Sequence, residues 1–169
     1  MRTALPLALA AALLALSAPL FAADKAKCAV KGEAVTVTAQ TPRVYVQGKP
    51  LYFCCATCSK AFVKSPEQYV KTLGACPVLS ADITAAKAEE RVVINNALWY
   101  VCCTSCVDGV KANTVVLKDL EDVVTKKKFR GSPSSLHSDY RGQVYFFENA
   151  QSKAAFDKEP ARYAVIFGR

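Results

Sequence analysis

Eight cysteines carry the chemistry of this chain, and they fall into two matching sets of four. Cys54, Cys55 and Cys58 form a Cys-Cys-x-x-Cys cluster behind the run Leu51-Tyr52-Phe53. Cys102, Cys103 and Cys106 form a second one behind Trp99-Tyr100-Val101. Each cluster has one lone cysteine upstream: Cys28 precedes Cys54 by 26 positions, and Cys76 precedes Cys102 by 26. The whole set recurs at an interval of 48 positions, the mark of a repeat chain in which each repeat gathers four sulfurs. Thiolates that converge on one point bind soft or borderline ions: Zn(II), Cu(I), Cd(II) or Hg(II). All eight cysteines are therefore candidate ligands, with Cu(I) or Zn(II) as the expected ion. Adjacent strand residues point to opposite faces, so neighbours such as Cys54 and Cys55 leave room for a single ion to use three of the four sulfurs. That ligation suits Cu(I) better than an ordinary structural zinc site.

The alternative is a disulfide framework, because exported cysteines in even number usually pair. Four cysteines per repeat allow three pairings. A bridge between adjacent residues is strained, which leaves Cys28 with Cys54 or Cys55, and the other with Cys58. A third reading, redox catalysis at Cys55-Ala56-Thr57-Cys58, lacks the surrounding βαβ pattern. Hydrolase chemistry finds no support either. His137 is the one imidazole in the chain, it lies in the cysteine-free part, and it is expected at the surface.

The elements that must position the sulfurs are readable in order. Residues 1–23 have the layout of a secretory signal peptide: Arg2, an apolar run from Ala4 to Leu16, then small residues at Ala22 and Ala23. The mature protein is expected to be exported, to the periplasm or beyond. The first repeat, residues 24–74, opens with a polar leader and a strand-like segment at 34–38. Two β-prone arms then flank Gln47-Gly48-Lys49-Pro50, a hairpin with Gly48 in the turn. The cysteine cluster ends the second arm, and residues 56–64 read as a short helix. Ser65-Pro66-Glu67 opens a further helical turn, with Tyr69, Val70 and Leu73 as its apolar face and Gly74 as its stop. The second repeat, residues 75–120, has the same order and has drifted: Asn96 stands for Gly48, Val110 for Phe62 and Thr114 for Pro66.

The third repeat, residues 121–169, aligns with the first at a shift of 94 but has no cysteine. Asp122, Glu148, Asn149 and Ser152 occupy the sulfur positions, and none is a thiolate. This part is expected to hold by packing alone, through Tyr145, Phe146, Phe147, Phe156, Tyr163 and Phe167. Buried side chains of that size contribute about 1.5–3 kcal/mol each. A unit of this length buries little core, so the other two are expected to lean on their sulfurs, and the short linkers predict that all three pack together. The net charge of +8 reads first as a solvated basic surface, and otherwise as affinity for an anionic membrane surface. No nucleic-acid motif accompanies Lys126-Lys127-Lys128.

These residues resemble the YHS domain, one of the TRASH-like, treble-clef-related metal-binding modules. The likeness is carried by Cys28-Ala29-Val30-Lys31-Gly32, Tyr52-Phe53-Cys54-Cys55-Ala56-Thr57-Cys58, Phe62 and Pro66-Glu67-Gln68-Tyr69. The second repeat keeps Cys76-Pro77-Val78 and its cluster but loses the Phe and Pro-Glu-x-Tyr part. The third is similar to the cysteine-poor branch, with Tyr140-Arg141-Gly142, Tyr145-Phe146-Phe147, Phe156, Pro160 and Tyr163. The resemblance implies an α+β chain of tandem hairpin–helix, treble-clef-like units. It implies Cys54 and Cys58 as the ligand pair, Cys28 as a third ligand and Cys55 as an extra sulfur. Modules of this kind occur in copper-transporting ATPases and in mercury- and copper-handling proteins. The expected partners are thus metal ions and a periplasmic metal-handling protein. The expected role is soft-metal binding without catalysis.

Overall fold

The computed structural model describes residues 24–168, so the expected export signal at 1–23 lies outside the described residues. The architecture is mixed α+β: one six-stranded sheet, two small two-stranded sheets and a few short helices. No helix among the described residues is long and apolar enough to cross a membrane.

The elements in order are β1 (Lys25–Lys27), β2 (Ala34–Thr36), β3 (Arg43–Val46), β4 (Lys49–Tyr52), α1 (Ala56–Lys64), β5 (Arg91–Ile94), β6 (Ala97–Tyr100), α2 (Val107–Lys111), α3 (Thr114–Leu117), β7 (Leu120–Glu121), β8 (Lys128–Phe129), β9 (His137–Tyr140), β10 (Gln143–Phe146), α4 (Ala150–Lys158) and α5 (Pro160–Tyr163). The main sheet runs β4-β3-β6-β5-β10-β9. It consists of three antiparallel hairpins side by side, β3–β4, β5–β6 and β9–β10. Parallel contacts at Val46↔Leu98 and Ile94↔Val144 join them. Each hairpin turns through two residues at positive φ: Gln47 and Gly48, Asn95 and Asn96, Arg141 and Gly142. Two such residues match the right-handed twist of the flanking strands, and Gly and Asn adopt that conformation at least cost.

The turn residue also joins one hairpin to the next. The Gln47 N–H donates to the Leu98 carbonyl, and its carboxamide bonds both the N–H and the carbonyl of Tyr100. Asn95 does the same one hairpin on. Its N–H donates to the Val144 carbonyl, its carboxamide bonds the N–H and carbonyl of Phe146, and it gives a further bond to the Glu121 carbonyl. Each carboxamide thus continues the backbone ladder for one more step. Arg141, at the same place in the last hairpin, is exposed beside the open edge β9.

Strand alternation divides the core. Val44, Val46, Leu98, Tyr100 and Val93 pack with Phe53 and Phe62 on one face. Val92, Ile94, Val101, Val144 and Phe146 pack with Val110 and Leu117 on the other. Tyr145 and Phe147, out of phase with Val144 and Phe146, join Val123 and Phe156 in a third cluster. The first and third segments therefore lie on one face of the sheet and the second on the opposite face. The third segment does not hold by its own packing. Phe146 belongs to the second core, and Phe167 is buried in the first. The chain end crosses back over α1, where the Gly168 N–H donates to the Val63 carbonyl and Arg91 bonds the Gly168 carbonyl. A Cβ on Gly168 would lie 2.0 Å from the Lys64 carbonyl oxygen, so only glycine fits there. Two local readings also change. The polar leader forms β1, paired with β2, and the turn at Pro66–Gln68 is 3-10 rather than α, with no cap bond from Ser65.

Replacing Asn95 by glycine keeps the turn conformation while removing the carboxamide. Phe146 and Glu121 then lose partners for buried backbone groups, at a cost of about 2–3 kcal/mol. The measurement is the urea midpoint, expected to fall at unchanged slope.

Candidate metal centres

Each sulfur set is assembled from three places in the chain. In the first segment, Cys28 opens a tight knuckle: its N–H donates to the Glu33 carbonyl and its carbonyl accepts from Gly32. Gly32 takes the positive φ that this turn requires. A bridge to Tyr52 lays the knuckle beside the end of β4. Cys54 follows that strand. Cys55 stands in extended backbone at the N-cap of α1, and Cys58 lies in the helix's first turn, where Phe62 anchors the helix in the core. The same two knuckle bonds recur at Cys76, with Ala81 and Ser80, and at Asp122, with Lys127 and Lys126. Ser80 and Lys126 take the positive φ of Gly32. The helix starts recur as well, at Cys103 and Asn149.

The sulfurs of Cys28, Cys54 and Cys58 lie within 4.8 Å of one another, as do those of Cys76, Cys102 and Cys106. Cys54 and Cys58 Sγ are 3.6 Å apart, and Cys102 and Cys106 Sγ 3.9 Å. Two sulfurs each about 2.3 Å from a shared ion lie roughly 3.8 Å apart at a tetrahedral angle and roughly 4.0 Å at a trigonal one. These pairs already stand at ligand spacing. All eight cysteines are free thiols in this structure. Cys55 touches Cys54 at 3.9 Å, and Cys103 touches Cys106 at 3.5 Å, but neither belongs to the mutually close three. Both are placed by the helix. Cys55 makes no cap bond of standard geometry, yet the Cys58 and Thr57 amides hold its thiol below the usual range. Asn149 in the third segment makes the full cap, accepting from the Ser152 N–H.

The electrostatics lower the lone cysteines furthest. Burial opposes ionisation of Cys28, but the amides of Cys54, Lys31 and Val30 converge on its sulfur and bring its pKa down to about 7. Cys76 behaves alike: against its burial, the amides of Leu79, Cys102 and Val78 bring it to about 7. Asp122 meets the same set. Its carboxylate accepts from the Val124, Thr125 and Glu148 amides, which with Ser152 hold it below the usual carboxylate range despite burial. The remaining ligand thiols keep their protons. Cys54 is pushed up to about 12, chiefly by its contact with Cys58, and Cys106 to about 12, chiefly by burial. Burial raises Cys58 and Cys102 too. Each cluster therefore sets one sulfur of lowered pKa in an amide nest beside neighbours that keep their protons.

The expected third position carries no comparable group. Asp122 is fully buried and saturated with donors, while Glu148 is exposed. His137 is exposed on β9, against the Phe146 ring at 5.7 Å, and approaches neither cluster. Sequence reasoning missed the amide nest, because backbone N–H groups leave no residue signature. Asp122 at the place of Cys28 was the available clue. It also missed Lys31, whose ammonium lies within electrostatic reach of Cys54, Cys58 and Cys55. No protein-family model, curated protein or solved structure matches the chain.

The nest makes folding pH-dependent in the reduced, metal-free protein. A thiol lowered from 9.0 to about 7 on folding contributes stability that is complete above pH 9 and lost as pH falls through 7. The melting temperature should therefore fall between pH 9 and 7. Replacing Cys28 and Cys76 by serine should flatten that slope, as thermal melts across the range would record.

Proposed function

We propose that this is an exported soft-metal-binding protein that buffers, carries or senses Cu(I) or Zn(II). It is built from three tandem YHS-like, treble-clef-like units, two with cysteine clusters and one without. The observation that carries the reading is the convergence of three thiols, from knuckle, strand end and helix start, at two places. The donor set is sulfur alone, which favours soft ions over Mg(II) or Ca(II). The recurrence of knuckle, hairpin turn and helix start at Cys28, Cys76 and Asp122 supports the tandem organisation. The signal-like N-terminus supports export to the periplasm, where a metal-handling protein would be the partner. In this reading no covalent bond of a substrate is made or broken. The ion is captured as thiol protons leave, and it is passed on by ligand exchange.

The two clusters bind independently. β3 and β6 run parallel, so cluster one, after β4, sits at the start of β3, whereas cluster two, after β6, sits beyond the β3–β4 turn. They occupy opposite ends of the sheet, separated by at least the four residues of β3 at about 3.3 Å each, roughly 13 Å. A shared binuclear cluster is out of reach.

The test is native against denaturing mass spectrometry of protein isolated without reductant. One ion per cluster, lost on denaturation to leave eight free thiols, is expected. Serine at both Cys58 and Cys106 should abolish tight binding, whereas changes at Glu148 or Ser152 should not. A metal-free chain lighter by two hydrogens per disulfide would overturn the proposal in favour of a disulfide-stabilised interaction module.

A further inference from the structure

The two clusters share a ligand pattern but differ in what surrounds it. Cys54 is exposed, whereas its counterpart Cys102 is half-buried. Cys102 and Cys103 pack with Val78, Val107 and Trp99 against the second core. Of the corresponding pair, only Cys55 packs against the first. The charge differs as well. Lys31, half of its side chain in solvent, pairs loosely with the exposed Glu33 at 3.8 Å and also lies within electrostatic reach of the three sulfurs after β4. At the shift of 48 its place is taken by Leu79, which is 63% exposed. Because the clusters stand at opposite ends and on opposite faces, one docked partner meets only one of them.

Resting on the metal-binding reading, we infer that the clusters have separate roles: the Cys54 cluster exchanges its ion with an anionic, thiolate-bearing donor or acceptor, and the Cys102 cluster retains its ion. Exchange proceeds at Cys54, the one exposed residue of the two close sets. The incoming thiolate forms a sulfur–metal bond as the Cys54–metal bond breaks. Cys54 takes up the proton that the incoming thiol released, and the ion keeps its oxidation state. Lys31 draws in the negatively charged acceptor and offsets the extra charge while both sulfurs are bound. At the other cluster the apolar cover withholds Cys102 from attack, and Leu79 offers nothing to an anion.

Two single-site proteins separate the rates. Cys106→Ser leaves the first cluster intact, and Cys58→Ser leaves the second. Each full chain is loaded with Cd(II), checked for one bound ion, and mixed with excess ethylenediaminetetraacetate while the thiolate-to-cadmium absorbance is followed. The first cluster should lose its ion on the order of tenfold faster or more, the range expected of electrostatic attraction with open access. Lys31→Leu should slow that loss several-fold, and Leu79→Lys should speed loss from the second cluster. Equal rates, or faster loss from the second cluster, would overturn the division of roles while leaving metal binding intact. Failure of either protein to take up cadmium would overturn the metal reading itself, and this inference with it.

Discussion

In all three segments the fold is built around three backbone amides that turn towards one buried side chain. A tight knuckle turns the N–H groups two and three residues after position 28 back towards its side chain. The residue after the hairpin, 26 positions on, adds a third. Amides aimed inward at one buried point are costly unless something accepts from them. A sulfur whose pKa is lowered to about 7 does so at Cys28 and Cys76, and a carboxylate at Asp122. The constraint reaches outward from there. The third amide belongs to the strand end and the helix start follows it directly, so filling the nest fixes knuckle, hairpin and helix relative to one another.

What the nest does within a segment, the sheet does between segments. A hairpin and one or two helical turns bury too little to stand alone. Here the middle hairpin is covered on both faces, since Val93 and Leu98 serve the first core while Val92 and Ile94 serve the second. The Gln47 and Asn95 carboxamides bond backbone groups of the next hairpin, and the chain end carries Phe167 into the first core. The Arg91–Glu67 ion pair, with Tyr100 donating to the same carboxylate, ties the first two segments on the covered face. Stability is therefore a property of the whole sheet rather than of each unit.

Much of this was legible because local rules decide it. The arm 43–46, the Gly48 turn and the helix Ala56–Lys64 follow from β-branched residues, turn chemistry and the aromatic positions Phe53 and Phe62, whereas the second arm begins at Lys49, inside the expected Gln47–Pro50 turn, because only Gln47 and Gly48 take positive φ. Spacing shows that four sulfurs gather in each repeat, whereas the trio Cys28, Cys54 and Cys58 comes only as what the resemblance implies. What escaped depends on partners distant in sequence. β1 is only Lys-Ala-Lys and has no apolar pattern; its pairing with β2 makes it a strand. Phe146 and Phe147 read as one aromatic run, yet alternation sends neighbours to opposite faces and into different cores. Asn95 was readable as a turn residue, but its side-chain bonds need the third hairpin in place.

The third segment explains why the sulfurs of the other two are suited to a ligand. Asp122 fills its nest with a full charge whose remaining lone pairs face Ser152, and Asn149 completes the helix cap. That arrangement is closed: every group that could bind a cation is already occupied or, as with Glu148, turned to solvent. In the first two segments only the nest position is satisfied. Cys54, Cys58 and their counterparts touch each other as protonated thiols, which are weak hydrogen-bonding groups and gain little from the contact. A soft cation placed among them replaces weak thiol contacts with metal–sulfur bonds and neutralises the buried thiolate. The same backbone thus makes a finished core where oxygen acceptors stand at its corner, and with sulfur there a group of three thiols that could hold a metal ion.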